Sequence, residues 1–142
     1  MFKEILLTVD LNEESSWRRA LPVAVGLCRT FGARLHVLTV VPDFGMAIVS
    51  HYFAEDFEAK ALAEAERRLH ELTAANVPAG VEVQHIVAQG TIYEEIIQGA
   101  GNADADLIVM AAHRPKLSDY LLGPNAARVV RHARQSVMVV RD

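Results

Sequence analysis

Two stretches of the chain carry residues whose types and spacing could do chemistry. Asp10 closes the apolar run Leu7-Thr8-Val9. A carboxylate at a strand end can accept hydrogen bonds from a ribose diol, cap the helix that follows, or pair with a base. The second stretch runs from Ala111-Ala112-His113-Arg114-Pro115-Lys116 to Leu122-Gly123-Pro124-Asn125. It sets an imidazole, a guanidinium and an ammonium ahead of a Gly-Pro helix start. Helix N-termini offer unpaired N–H groups and a partial positive charge, which suits a phosphate, although a solvated surface loop has the same composition. Gly123 would let an anion approach the backbone closely. Pro124 is at home at the first helical position but brings no N–H, and Asn125 offers a side-chain amide in its place.

Other chemistries find little support. Of the six histidines, His36 falls in a strand, His70 on a helix, His85 on an edge strand and His132 near a helix end. No His-x3-His and no His-carboxylate pair at ligand spacing is read among them, so no metal site is expected. Ser118 and Asp119 lie near His113 without a Gly-x-Ser-x-Gly turn, which argues against a nucleophile. There is no Walker pattern and no base aimed at a γ-phosphate, so any turnover is expected to be at most slow ATP hydrolysis or nucleotidyl transfer.

The elements that must position these residues follow from length and pattern. The chain has 142 residues, is 51% apolar and carries a net charge of −4. One domain is expected, burying roughly 70% of its unfolded surface. The single Cys28 excludes a disulfide framework and points to a reducing, cytoplasmic setting. Basic residues are outnumbered, which argues against nucleic acid. The apolar stretch Ala20 to Cys28 is too short to cross a membrane, and Met1-Phe2-Lys3-Glu4 does not read as a signal peptide.

Ile5 to Val9, Leu35 to Val41 and Leu107 to Ala112 are apolar runs of the kind found in parallel strands covered on both faces. Val81 to Val87 alternates as an edge strand does, and Val137 to Val140 is a fifth strand. Trp17, Ala20, Leu21, Ala24, Leu27, Cys28 and Phe31 mark a first helix, in which Pro22 demands a late start or a bend. Further helices are expected over Glu55 to Ala74, from Ile92 after Gly90-Thr91, and over Asn125 to Arg134. The alternation predicts a single-domain α/β fold with an open parallel five-stranded sheet, order 3-2-1-4-5, and helices on both faces. Its switch point lies between strands 1 and 4, where Thr8 to Asn12, Val40 to Asp43 and Ala111 to Asn125 would meet.

Two surfaces point to partners. The loop Phe44 to Phe57 carries Met46, Ile48, Tyr52 and Phe53 and would pack on the second helix, cover the pocket or meet a protein. The strand Val137 to Val140 would be a bare apolar edge unless it paired with a second copy, which predicts a homodimer.

Taken together, Leu7-Thr8-Val9-Asp10, Leu35 to Pro42, Ile108 to Pro115 and Leu121-Leu122-Gly123-Pro124-Asn125 through Arg141 resemble the universal stress protein family, most closely its filament-type subclass. The resemblance spans essentially residues 1–142 as one such domain. It implies a Rossmann-like fold, a homodimer joined through the last strands, a stress-response regulator and binding of ATP or another adenine nucleotide, with Mg2+. By resemblance, Asp10 is the family's aspartate and Val40 the valine beside adenine. In the family's Gly-x2-Gly-x9-Gly-Ser/Thr loop, Ala111 and Arg114 replace the first two glycines, the spacing to Gly123 is one shorter, and Pro124 replaces the serine. The subclass shares the first two departures. The implied site is Thr8, Val9, Asp10, Val40, Ala111, Ala112, His113, Arg114, Gly123, Pro124 and Asn125. Loss of the serine's bonds would cost roughly 1.5–3 kcal/mol each. That predicts weak binding, or binding confined to AMP or ADP, with His113, Arg114 and Asn125 as phosphate ligands. The alternative is a protein-interaction module of the same fold that binds no nucleotide.

Overall fold

Ile5, Leu6 and Leu7 are completely buried at the centre of a computed structural model that describes residues 1–41, 54–112 and 123–141. They belong to strand β1 (Glu4–Thr8), which pairs in parallel with β2 (Arg34–Val41) on one side and β4 (Leu107–Ala112) on the other. β3 (Val83–Gln89) extends the sheet beyond β2 and β5 (Ser136–Arg141) beyond β4. The order is therefore β3-β2-β1-β4-β5, all parallel. Strands buried on both faces need no alternation, which is why β1 and β4 read as continuous apolar runs.

Side chains of opposite parity feed two separate cores. Ile5, Leu7, Leu35, Val37 and Val109 pack with Ala24 and Cys28 of α1 (Ala20–Phe31) and Leu69 of α2 (Ala54–Asn76). Leu6, Leu38, Ile108 and Met110 pack with Ile96 and Ala100 of α3 (Ile92–Asn102) and Ala126 and Val129 of α4 (Pro124–His132). The helices cover both faces, as the element order predicts. α3 can settle on β2 because residue 99 is glycine; a Cβ there would collide with Leu38 Cδ1.

Several boundaries differ from the sequence expectation. α1 begins late, at Ala20, so Pro22 lies in its first turn, where a missing N–H costs no helical bond. Trp17 falls outside the helix, in the turn after a short 3-10 segment (Glu14–Ser16), and packs half-buried against the first core. Gly32 ends α1 at φ 68°, the left-handed conformation that glycine adopts freely. β3 starts at Val83; Val81 is buried ahead of it, outside the ladder. α2 starts at Ala54, one residue ahead of the expected Glu55, so the last four residues of the Phe44 to Phe57 segment belong to the helix, with Phe57 about half exposed. Residues 44–53 of that expected loop lie outside the described residues. Among the described residues no helix is long and apolar enough to cross a membrane.

Candidate functional site

The carboxyl ends of β1, β2 and β4 and the first turn of α4 meet around a cavity of about 260 Å³. Thr8, Val9, Val40 and Ala111 line it from the strands, with Leu38 and Met110 deeper in, and Ile92 and Ile96 of α3 close the apolar side. Asp10, Asn12, Ser16 and Asn125 supply the polar rim. This is the switch point, where neighbouring strands send their chain to opposite faces and leave a crevice between the loops.

The loop after β1 is held by its own hydrogen bonds. The Asp10 N–H donates to Ser16 Oγ at 2.8 Å, and Asp10 C=O accepts from the Glu13 N–H at 3.0 Å. Asp10 Oδ1 accepts from the Asn12 N–H at 2.9 Å, an Asx turn. Asp10 therefore caps neither helix; the residue before the 3-10 segment is Glu13 and that before α1 is Arg19. Its second carboxylate oxygen takes no hydrogen bond from a described residue. From the other side, Arg68 of α2 donates to the Leu11 carbonyl at 2.7 Å and to Asn12 Oδ1 at 3.1 Å. A second crevice of about 240 Å³, bordered by Thr39, Val41 and Arg68, adjoins the cavity and shares Asp10, Asn12 and Val40 with it.

At the opposite wall, α4 starts at Pro124 rather than Asn125, after Gly123 at φ −58° and ψ 163°. That φ is open to any residue, so Gly123 is not required for the backbone turn, and a Cβ there would meet no atom of a described residue within 4 Å. The first intrahelical bond is Ala127 N–H to Gly123 O at 3.0 Å, so the N–H groups of Asn125 and Ala126 are available to an anion. Pro124 borders a different groove, between α3 and α4, with Tyr93, Arg128, Arg131 and His132.

Of the residues expected at the site, Thr8, Val9, Asp10, Val40, Ala111 and Asn125 line the cavity. Ala112 is buried in the sheet behind it, and Gly123 and Pro124 stand at the α4 start. His113 and Arg114 lie outside the described residues. Asn12, within the expected Thr8 to Asn12 segment, also lines the cavity; Ser16, Leu38, Ile92, Ile96 and Met110 complete the lining and were not anticipated. Contrary to the expectation of no His-carboxylate pair, Glu66 and His70 stand at i,i+4 spacing on α2. His70 Nε2 sits 3.1 Å from Glu66 Oε1, and its ring stacks on His85 with centroids 3.7 Å apart. Among the described residues no group of three or more His, Cys, Asp or Glu side chains is arranged to hold a metal ion.

A parallel sheet covered by helices on both faces, with a cavity of mixed apolar and polar lining at its switch point, is an open Rossmann-like α/β domain. The chain belongs to the universal stress protein family, whose model matches residues 1–141. It is similar to universal stress protein G of Shigella flexneri, 34% identical over 145 residues that cover 99% of this chain and 100% of that one. Its fold is similar to that of a universal stress protein from Methanocaldococcus jannaschii, with TM-score 0.77 and 24% identity over 100% of this chain and 97% of that one. It is also similar to a universal stress protein solved in complex with cAMP, with TM-score 0.64 and 22% identity over 99% and 97%.

Proposed function

We propose that this universal stress protein binds an adenine nucleotide at the β1/β4 switch point and acts as a nucleotide-responsive regulator. The observation that carries the reading is convergence: Asp10, Val40, Ala111 and Asn125, from four separate segments, line one cavity. Its apolar half, with Leu38, Val40, Ile92, Ile96 and Met110, suits a purine. The second Asp10 carboxylate oxygen, which takes no hydrogen bond from a described residue, suits a ribose hydroxyl, and the N–H groups of Asn125 and Ala126 suit a phosphate. The described walls enclose a little less than the roughly 300–1,000 Å³ of typical ligand clefts, a fit to base and ribose with the phosphates lying toward α4. The related protein solved with cAMP supports an adenine ligand.

Asp10 is the one carboxylate among the described lining residues. A Mg2+ ion arriving with the nucleotide would therefore be held chiefly by phosphate oxygens and water. His113 and Arg114 are proposed as further phosphate ligands. Calorimetric titration with ATP, ADP, AMP and cAMP, with and without Mg2+, tests the reading. Saturable heat that is lost in Asp10→Ala supports it. Absence of heat and of thermal shift at millimolar nucleotide overturns it in favour of a protein-interaction module.

The exposed edge of β5 supports a homodimer in which Val137 to Val140 pairs with its symmetry mate, because these residues are only half-covered within the chain. Light scattering should then give twice the 15.6 kDa of one chain. The expected setting is the cytoplasm, in keeping with one buried free thiol.

A further inference from the structure

We infer that Arg68 of α2 is a positioning residue for the nucleotide site: it sets the place of the Asp10 carboxylate without touching the ligand itself. The inference rests on the nucleotide reading above. Its basis is a chain of three contacts. Arg68 donates from one guanidinium nitrogen to the Leu11 carbonyl at 2.7 Å and from another to Asn12 Oδ1 at 3.1 Å. The Asn12 N–H in turn donates to Asp10 Oδ1 at 2.9 Å. The carboxylate is thereby fixed through one oxygen, at a residue that lines the cavity.

The arrangement needs an arginine. Two acceptors on adjacent residues, one backbone and one side-chain, match the planar fork of a guanidinium, whereas an ammonium is a point donor that satisfies one of them well. The contact also joins elements far apart in sequence, since Arg68 lies 57 residues from Leu11. Ser16 holds the same loop from within, through the Asp10 backbone. Leu11 also packs against the core that includes Leu69 of α2, but among the described residues no hydrogen bond other than those of Arg68 ties Leu11 and Asn12 to that helix. The neighbouring Arg67 serves as contrast: both its ion pairs, to Glu64 and Glu71, stay on α2 itself.

Preorganisation of a site group is lost when its support is lost, even with every ligand-contacting residue intact. Arg68→Ala is therefore expected to weaken the tightest-binding nucleotide about tenfold, the equivalent of about 1.4 kcal/mol. Arg68→Lys should recover only part of that loss, and Arg67→Ala should bind as the wild type does. Calorimetry on the full chain gives the affinities, and the backbone amide resonances of Asp10, Leu11 and Asn12, recorded without ligand, should shift in Arg68→Ala but not in Arg67→Ala. Full recovery by lysine would overturn the inference, because it would reduce Arg68 to a diffuse positive charge near the phosphates. Equal losses in Arg67→Ala and Arg68→Ala would overturn it for the same reason. Wild-type affinity in Arg68→Ala overturns the inference alone. Should the wild type bind no nucleotide, the nucleotide reading falls and this inference falls with it.

Discussion

Ser16 Oγ and the backbone of Asp10 hold one another in both directions: the Asp10 N–H donates to the hydroxyl oxygen at 2.8 Å, and the hydroxyl lies 3.0 Å from Asp10 C=O and 2.7 Å from Glu13 C=O. One hydroxyl hydrogen is shared between two carbonyls, so the 3-10 segment closes back on the end of β1. Ser16→Ala leaves the Asp10 N–H to find water at a part-exposed loop. The expected loss of stability is about 1 kcal/mol, read as a lower urea midpoint with an unchanged slope. Nucleotide affinity should fall alongside it, because the displaced backbone carries the Asp10 carboxylate.

Gly99 presents the opposite problem, a residue that must stay small. A methyl group there improves helix propensity by about 1 kcal/mol, but it would collide with Leu38 Cδ1, and Leu38 is fully buried. Overpacking costs about 1–3 kcal/mol, and the Leu38 methyl can escape only by turning into the cavity that Leu38 lines, so the collision outweighs the propensity gain. Gly99→Ala should lower the melting temperature, and Leu38→Ala introduced into that variant should cost less than Leu38→Ala alone. Since Leu38 also lines the cavity, the single variant should bind nucleotide more weakly.

How far the sequence carries depends on whether a residue's role is local. The strand order was legible because β1 and β4 are uninterrupted apolar runs and α2 and α3 have helical spacing. Asp10, Val40 and Ala111 were legible because a switch-point site lies at strand ends. Ser16 was hidden by the assumption that the first helix already includes Trp17; the 3-10 segment that turns Ser16 back onto Asp10 has no apolar period to announce it. Leu38 and Met110 look like any other strand residue until sheet parity sends them to the face of α3 and α4. Arg68 lies in a run of charged helix residues, and nothing local distinguishes it from Arg67, whose partners are on its own helix.

The stacked pair of His70 and His85 should make stability depend on pH. Burial first, and the charge of His70 second, push the His85 pKa below its ordinary 6.5, while Glu66 pulls weakly the other way. Thr73 completes the cluster, 2.7 Å from His85 Nε2. The folded protein thus favours neutral His85, whereas the unfolded chain takes up a proton near 6.5. Below that pH the unfolded state binds more protons, so stability is full above about 6.5 and declines as pH falls toward the lowered folded value. Urea midpoints at pH 7.5 and 5.5 should differ in that direction, and His85→Gln should flatten the difference.

Cys28 is expected to be chemically silent while the protein is folded. It is buried in the core between α1 and the sheet, and burial, followed by the negative charge of Glu4, pushes its pKa up to about 11. At pH 8 that leaves about one thiol in a thousand as the reactive thiolate. A disulfide reagent should therefore modify Cys28 at a rate set by opening of the fold, accelerating across the urea transition. Cys28→Ser tests the environment separately: the hydroxyl is smaller than the thiol and buries a polar group among Ala24, Leu35 and their neighbours. An unpartnered buried hydroxyl costs about 1–3 kcal/mol, and the cavity adds to it. Cys28→Ala leaves the cavity without the polar group, so the serine variant should be the less stable of the two. A serine variant as stable as the alanine one would mean that the hydroxyl finds a partner, and the Ala24 backbone carbonyl, four residues back on α1, is the acceptor such a hydroxyl bonds in a helix.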